Sequence, residues 1–140
     1  MKSLDLTKSP PRSPREQLGG LVLLARTIDK VRATLPGGNI GPYNISGFSS
    51  HLLEMLGITE EALREKVASA ENEAEVVAWV HAHSNPAAYA AFNAEASAPT
   101  VGERLDRPAF VEKYPLAKTL PPETTLFEML EYDDCDSFLQ

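Results

Sequence analysis

The residues in this chain best suited to chemistry are Arg26, Asp29, Lys30 and Arg32. On a helix, Arg26 neighbours Asp29 at three residues and Lys30 at four, so the three head groups share one face. Arg12 and Arg15 add positive charge nearby. Such a face, set against the glycine-rich stretch Gly37 to Tyr43, suits an anion or carboxylate, with Arg26, Asp29, Lys30, Gly38 and Tyr43 as the candidate ligand-binding residues. The ordinary alternative is a solvated face of surface ion pairs. A buried pair between Arg26 and either Asp29 or a C-terminal acid is the third arrangement the spacing allows.

Acid-base chemistry has candidates too. Asp29, Tyr43, His51 and Glu54 are of the right types if the loop at 36–47 gathers them into a cleft. Metal chemistry has weaker ones. His81 and His83 stand two residues apart, which on a helix turns their rings about 200° from each other and prevents joint chelation. His51 and Glu54 share a face at three residues but make only two ligands. Glu131, Asp133, Asp134 and Asp136 offer hard oxygen donors without the spacing of a calcium loop, and read as a solvated acidic tail or a contact for the basic head. Gly37-Gly38-Asn39-Ile40-Gly41 lacks the Lys-Ser/Thr that would make it a phosphate loop. No GxGxxG, HExxH or CxxC is present, so no metal or cofactor is expected and the catalytic residues, if any, are unknown.

The elements that must position these residues read as helices. Residues 1–12 form an extended arm, since Pro10 and Pro11 forbid a helix there. Ser13, Pro14 and Glu16 carry the signature of a helix start, and Leu18, Leu21, Val22, Ala25, Ile28, Val31 and Leu35 continue it as one apolar stripe, predicting a long first helix from Pro14 to about Leu35. Gly19 and Gly20 inside it point to a close approach by another backbone or a ligand. Residues 36–47 follow as a glycine-rich loop or short hairpin.

Shorter helices come next. One runs from about Ser49 to Leu56 and closes on Gly57, one is capped by Thr59, one by Asn72 with Glu75, and one restarts at Asn85-Pro86. Beyond Pro99 the chain wraps the surface with a short helix near Ala109 to Lys113, and a last helix is capped by Thr125 with Glu128. Trp79 is placed in the core with Val76, Val80, Tyr89 and Phe92. The expected fold is therefore all-α: one domain, 1–140, built as a compact orthogonal bundle of five to six helices.

Three stretches, Asp5 to Gly20 (DLTKSPPRSPREQLGG), Ala25 to Ala33 and Phe127 to Asp134, resemble a bacterial family of about this length, domain of unknown function family 5069. The resemblance implies a small, helix-rich, stand-alone domain. It supplies no activity, cofactor or catalytic residue.

Composition narrows the function classes. The net charge is −7 in 140 residues, yet residues 1–40 hold seven Lys/Arg against three acids while 41–140 hold six against seventeen. A mostly acidic protein repels phosphate backbones, so nucleic acid is an unfavoured partner. No apolar run is long enough to span a membrane, the start has no apolar signal segment, and the lone Cys135 has no intrachain partner, all of which suit the cytoplasm. The reading is a binding or interaction module for an anionic small molecule or partner protein, with a small cytoplasmic enzyme working around the 36–47 loop as the alternative.

Overall fold

A computed structural model describes residues 1–138. It contains seven α-helices and no strand among them: α1 (Leu24–Ala33), α2 (Phe48–Leu56), α3 (Glu60–Ser69), α4 (Glu73–Ala82), α5 (Tyr89–Ser97), α6 (Pro108–Lys113) and α7 (Leu126–Phe138). Short 3-10 turns at Pro86–Ala88, Val101–Glu103 and Pro115–Thr119 join them. The protein is thus mainly helical, as the periodicity and capping patterns predict. No helix is long and apolar enough to cross a membrane among the described residues.

The local signals past residue 48 work as read. Thr59 accepts the Ala62 N–H, and Asn72 accepts that of Glu75, each filling an orphan donor at a helix start. Thr125 and Glu128 close a reciprocal box, the Thr125 hydroxyl accepting the Glu128 N–H at 3.1 Å while the Glu128 carboxylate accepts the Thr125 N–H at 3.3 Å. Gly57 ends α2 in the left-handed conformation.

The long first helix is corrected. Only Leu24–Ala33 is helical, because the chain reverses at Leu18-Gly19-Gly20-Leu21. Leu18 and Leu21 exchange backbone hydrogen bonds of 3.0 and 3.1 Å across the two glycines, whose φ angles are 61° and 84°. Ser13 caps no helix: its hydroxyl accepts the Arg15 N–H in a local turn and donates to Glu131. The apolar stripe misled because Leu21 and Val22 are buried from an irregular backbone as fully as they would be from a helix.

α1 is the buried axis of the fold, packed against α2 and α3, and α3 packs in turn on α4. Its core partners include Leu52, Leu56, Leu63, Val67, Val76, Val80, Tyr89 and Phe92. Trp79 is only half-buried, leaning on the cluster from outside with its ring 4.7 Å from that of His83, so the expectation of a core tryptophan is corrected while its four companions are buried. A second apolar cluster, Val101, Ala117, Leu126, Met129 and Leu130, meets the first through Phe48.

The arm is tied down. Leu6 is buried, its N–H donates to Asn39 O at 2.7 Å, and Asn39 N–H donates to Leu4 O at 3.0 Å. The glycine-rich loop therefore pairs with the arm through Asp5 and Asn39, and forms no hairpin.

Candidate functional site

Because α1 is surrounded, three of its four charged residues are buried: Arg26 is 3% exposed, Asp29 6% and Lys30 9%, while Arg32 is half-buried. The solvated-face reading of this helix is overturned. Each charge then needs a partner or a cavity, since an isolated buried ion is costly.

Arg26 has a partner in α7. Its Nη1 and Nη2 donate to the two oxygens of Asp134 at 2.7 and 3.2 Å, and Nη1 also donates to Arg12 O at 3.2 Å. The Tyr43 hydroxyl donates to Asp134 at 3.0 Å, and the Tyr43 ring lies 5.7 Å from the guanidinium. Burial pushes the Tyr43 hydroxyl well above its usual value, and the Asp134 charge adds to that.

Asp29 has a partner in the arm. It accepts from the Arg12 backbone N–H at 2.8 Å and from Arg12 Nε and Nη2 at 3.0 Å each, while Arg12 Nη1 reaches Glu73 at 2.8 Å. Burial alone would lower the Arg12 guanidinium, but its hydrogen bonds to Asp29 and Glu73 outweigh this and hold it above its ordinary value.

Lys30 has neither. Among the described residues its ammonium makes no hydrogen bond and no ion pair, and the residue lines a cleft of about 720 Å³. Its pKa is lowered to about 8, by burial first and then by the neighbouring Arg26 charge, with Asp134 opposing both.

That cleft lies between α1, the loop at 42–47, the start of α2, the end of α5, the segment Arg104–Tyr114 and α7. Its walls carry five cationic side chains, Arg26, Lys30, Arg104, Arg107 and Lys113, against two acids, Glu95 and Asp133. Phe48, Phe110, Leu126, Met129 and Leu130 supply an apolar floor. Burial raises the Asp133 carboxyl above its ordinary value, with Asp134 and Asp136 adding to it. The Tyr114 hydroxyl is raised in the same way, by burial first and then by Asp133.

Of the residues singled out in the sequence, Arg26, Lys30 and Tyr43 meet at this cleft and Asp29 and Gly38 do not. Asp29 is directed to Arg12, and Gly38 packs where a Cβ would meet Ala33 O at 2.6 Å and Leu4 O at 3.0 Å. His51 stands at the cleft wall, 3.2 Å from Glu95, whereas Glu54 is exposed outside it. His81 donates from Nε2 to Gly19 O at 2.8 Å and so holds the reversal instead of a metal. Among the described residues no three His, Cys, Asp or Glu side chains are placed to hold a metal ion.

The sequence reading missed Arg104, Arg107, Lys113 and Asp133. A signal existed: of the six Lys/Arg in residues 41–140, four (Arg104, Arg107, Lys113 and Lys118) fall within fifteen residues. Summing charge over the acidic remainder hid this basic segment.

No curated protein matches the chain. Residues 8–135, which include α1, every cleft-lining residue but Ser137, and the Arg26–Asp134 pair, match the family described as a domain of unknown function (DUF5069), and the chain belongs to that family.

Proposed function

We propose that the protein binds a small organic anion in the cleft beside Lys30. The observation that carries this reading is an excess of cations, five against two acids, around a concave, partly apolar cavity in a protein whose net charge is −7. A concave site lined by one sign of charge raises the local concentration of the opposite ion. Cavities of about this size with an apolar floor and a few converging polar groups are usual for small ligands. The Arg26–Asp134 pair serves as a rigid wall, and Lys30, Arg107 and Lys113 remain to meet the ligand's charge. We place the protein in the cytosol, a setting that suits the exposed, unpaired thiol of Cys135.

A thermal-shift screen of mono- and dicarboxylates, inorganic phosphate and phosphate esters tests the reading. An anion at about 100 times its dissociation constant adds about 2.7 kcal/mol of stability and raises the melting temperature accordingly. Stabilisation by at least one organic anion, reduced in Arg107→Ala, is the expected result. A screen in which no anion stabilises the wild-type chain would sink the proposal.

A further inference from the structure

The structure assigns Lys30 a covalent role: its amine forms a reversible imine with the carbonyl carbon of a small 2-oxo acid held in the cleft by its carboxylate. The inference rests on the anion-binding reading and specifies the ligand class.

Three placements support it. First, Lys30 is 9% exposed and without a protein partner among the described residues, so the group that completes its environment comes through the cleft it lines. Every other charged group on α1 is tied: Arg26 to Asp134, Asp29 to Arg12, and Arg32 to Lys2 O at 2.8 Å. Second, the charges of two other cations act on it. Arg26 is locked four residues before it, and Lys113 is near enough that its charge acts on Lys30. A lysine desolvated beside other cations is the usual form of an amine nucleophile. Its pKa of about 8 leaves a large share of the amine unprotonated in mildly alkaline solution. Third, the same walls supply what a 2-oxo acid needs besides the amine: Arg107 and Lys113 for the carboxylate, and an apolar floor for the carbon chain.

The step balances without a further reactant. The Lys30 nitrogen lone pair forms the C–N bond as the carbonyl π pair moves to oxygen, and the oxygen takes the proton that nitrogen gives up. A second proton, delivered by solvent or by the Asp133 carboxyl on the cleft wall, lets that oxygen leave as water. The product is the protonated imine, which water returns to the free amine.

The test is reductive trapping on the full chain. Wild-type protein is incubated with pyruvate or 2-oxoglutarate and cyanoborohydride at pH 8, digested, and each lysine peptide quantified by mass spectrometry, with exposed Lys2, Lys8 and Lys118 as internal references. With its pKa lowered from the ordinary lysine value of 10.5 to about 8, Lys30 holds about a hundredfold more free amine at this pH than it would at the ordinary value, and even after its lower basicity is discounted the adduct at Lys30 should exceed that at each reference by about tenfold. Excess lactate, which keeps the carboxylate and lacks the ketone, should suppress the Lys30 adduct, and Lys30→Arg should abolish it. Labelling of Lys30 no greater than that of the references with either oxo acid overturns the covalent role. In that event, a melting-temperature increase with any anion of the screen would leave the anion cleft standing, and its absence with all of them would overturn both.

Discussion

Arg26 and Asp134, 108 residues apart in sequence, meet in a buried two-point ion pair that fastens the last helix to the central one. Their side chains keep 4% and 8% of their exposure, and Asp134 is further satisfied by the Tyr43 hydroxyl. Removing one member strands the other as a buried charge, which costs about 3 to 5 kcal/mol. Arg26→Ala and Asp134→Ala should each lose that much in urea titrations. The double variant should lose clearly less than the sum, because neither charge is then left alone.

Lys30 works against the fold at neutral pH. Its pKa falls from 10.5 in the unfolded chain to about 8 in the folded one, so between these values the unfolded chain binds more protons and stability rises with pH. The cost is fully present below pH 8 and is relieved as pH climbs towards 10.5. Lys30→Met should therefore be more stable than wild type by about 3 kcal/mol at pH 7 and by only about 1 kcal/mol at pH 10. Parallel denaturant titrations at the two pH values measure the gap. A gap that does not narrow would show that Lys30 is charged in the folded protein throughout this range.

The reversal at Gly19 should be among the least tolerant backbone positions. A Cβ there would stand 2.7 Å from Val77 Cγ1 and 3.0 Å from His81 Nε2, and φ is 61°. Gly57 has a similar φ of 69° but open space around it. Gly57→Ala should cost about 1 kcal/mol for conformation alone. Gly19→Ala should cost about 2 to 4 kcal/mol, since the clash and the loosened His81 hydrogen bond add to the strain. Thermal denaturation of the two variants side by side checks the difference.

Trp79 and Phe127 separate packing at the margin from packing in the centre. Phe127 is 1% exposed and meets Phe48 edge to face at 5.0 Å, whereas Trp79 covers the core from one side. Phe127→Ala should cost about 3 to 5 kcal/mol and Trp79→Ala about 1 to 3 kcal/mol, despite the larger ring. Equal losses in chemical denaturation would place the indole deeper than its exposure indicates.

What the sequence revealed divides along a physical line. Caps and stops are local: Thr59, Asn72, Thr125 with Glu128, and Gly57 depend on residues three or four positions away, and each was readable. The Gly19-Gly20 reversal was not, because its settling contacts come from Val77 and His81, some sixty residues on. The site shows the same split. Helical spacing placed Arg26 beside Lys30, but whether that face meets water, a partner or a cavity is decided by α7 and the 104–114 segment, which spacing within one helix does not report. The C-terminal acids read as a contact for the basic head do meet it, through Arg15 to Glu131 at 2.5 Å and Arg26 to Asp134.

Arg107 and Lys113 are the cleft cations whose loss should change binding without changing the fold. Both are exposed, neither belongs to an ion pair among the described residues, and neither caps a helix with its side chain. Substitutions at such positions usually alter stability by about 0.5 kcal/mol or less, whereas losing a charge-assisted hydrogen bond to a ligand costs about 1.5 to 3 kcal/mol. Arg107→Ala and Lys113→Ala should therefore unfold at nearly the wild-type urea concentration. For any anion found to stabilise the protein, they should raise its dissociation constant by about tenfold to a hundredfold in calorimetric titration. Lys118 lies outside the cleft on the same basic segment, so Lys118→Ala should leave the constant unchanged. Equal weakening by all three substitutions would mean that the anion feels only the net charge of the segment, and the cleft would then not be its site.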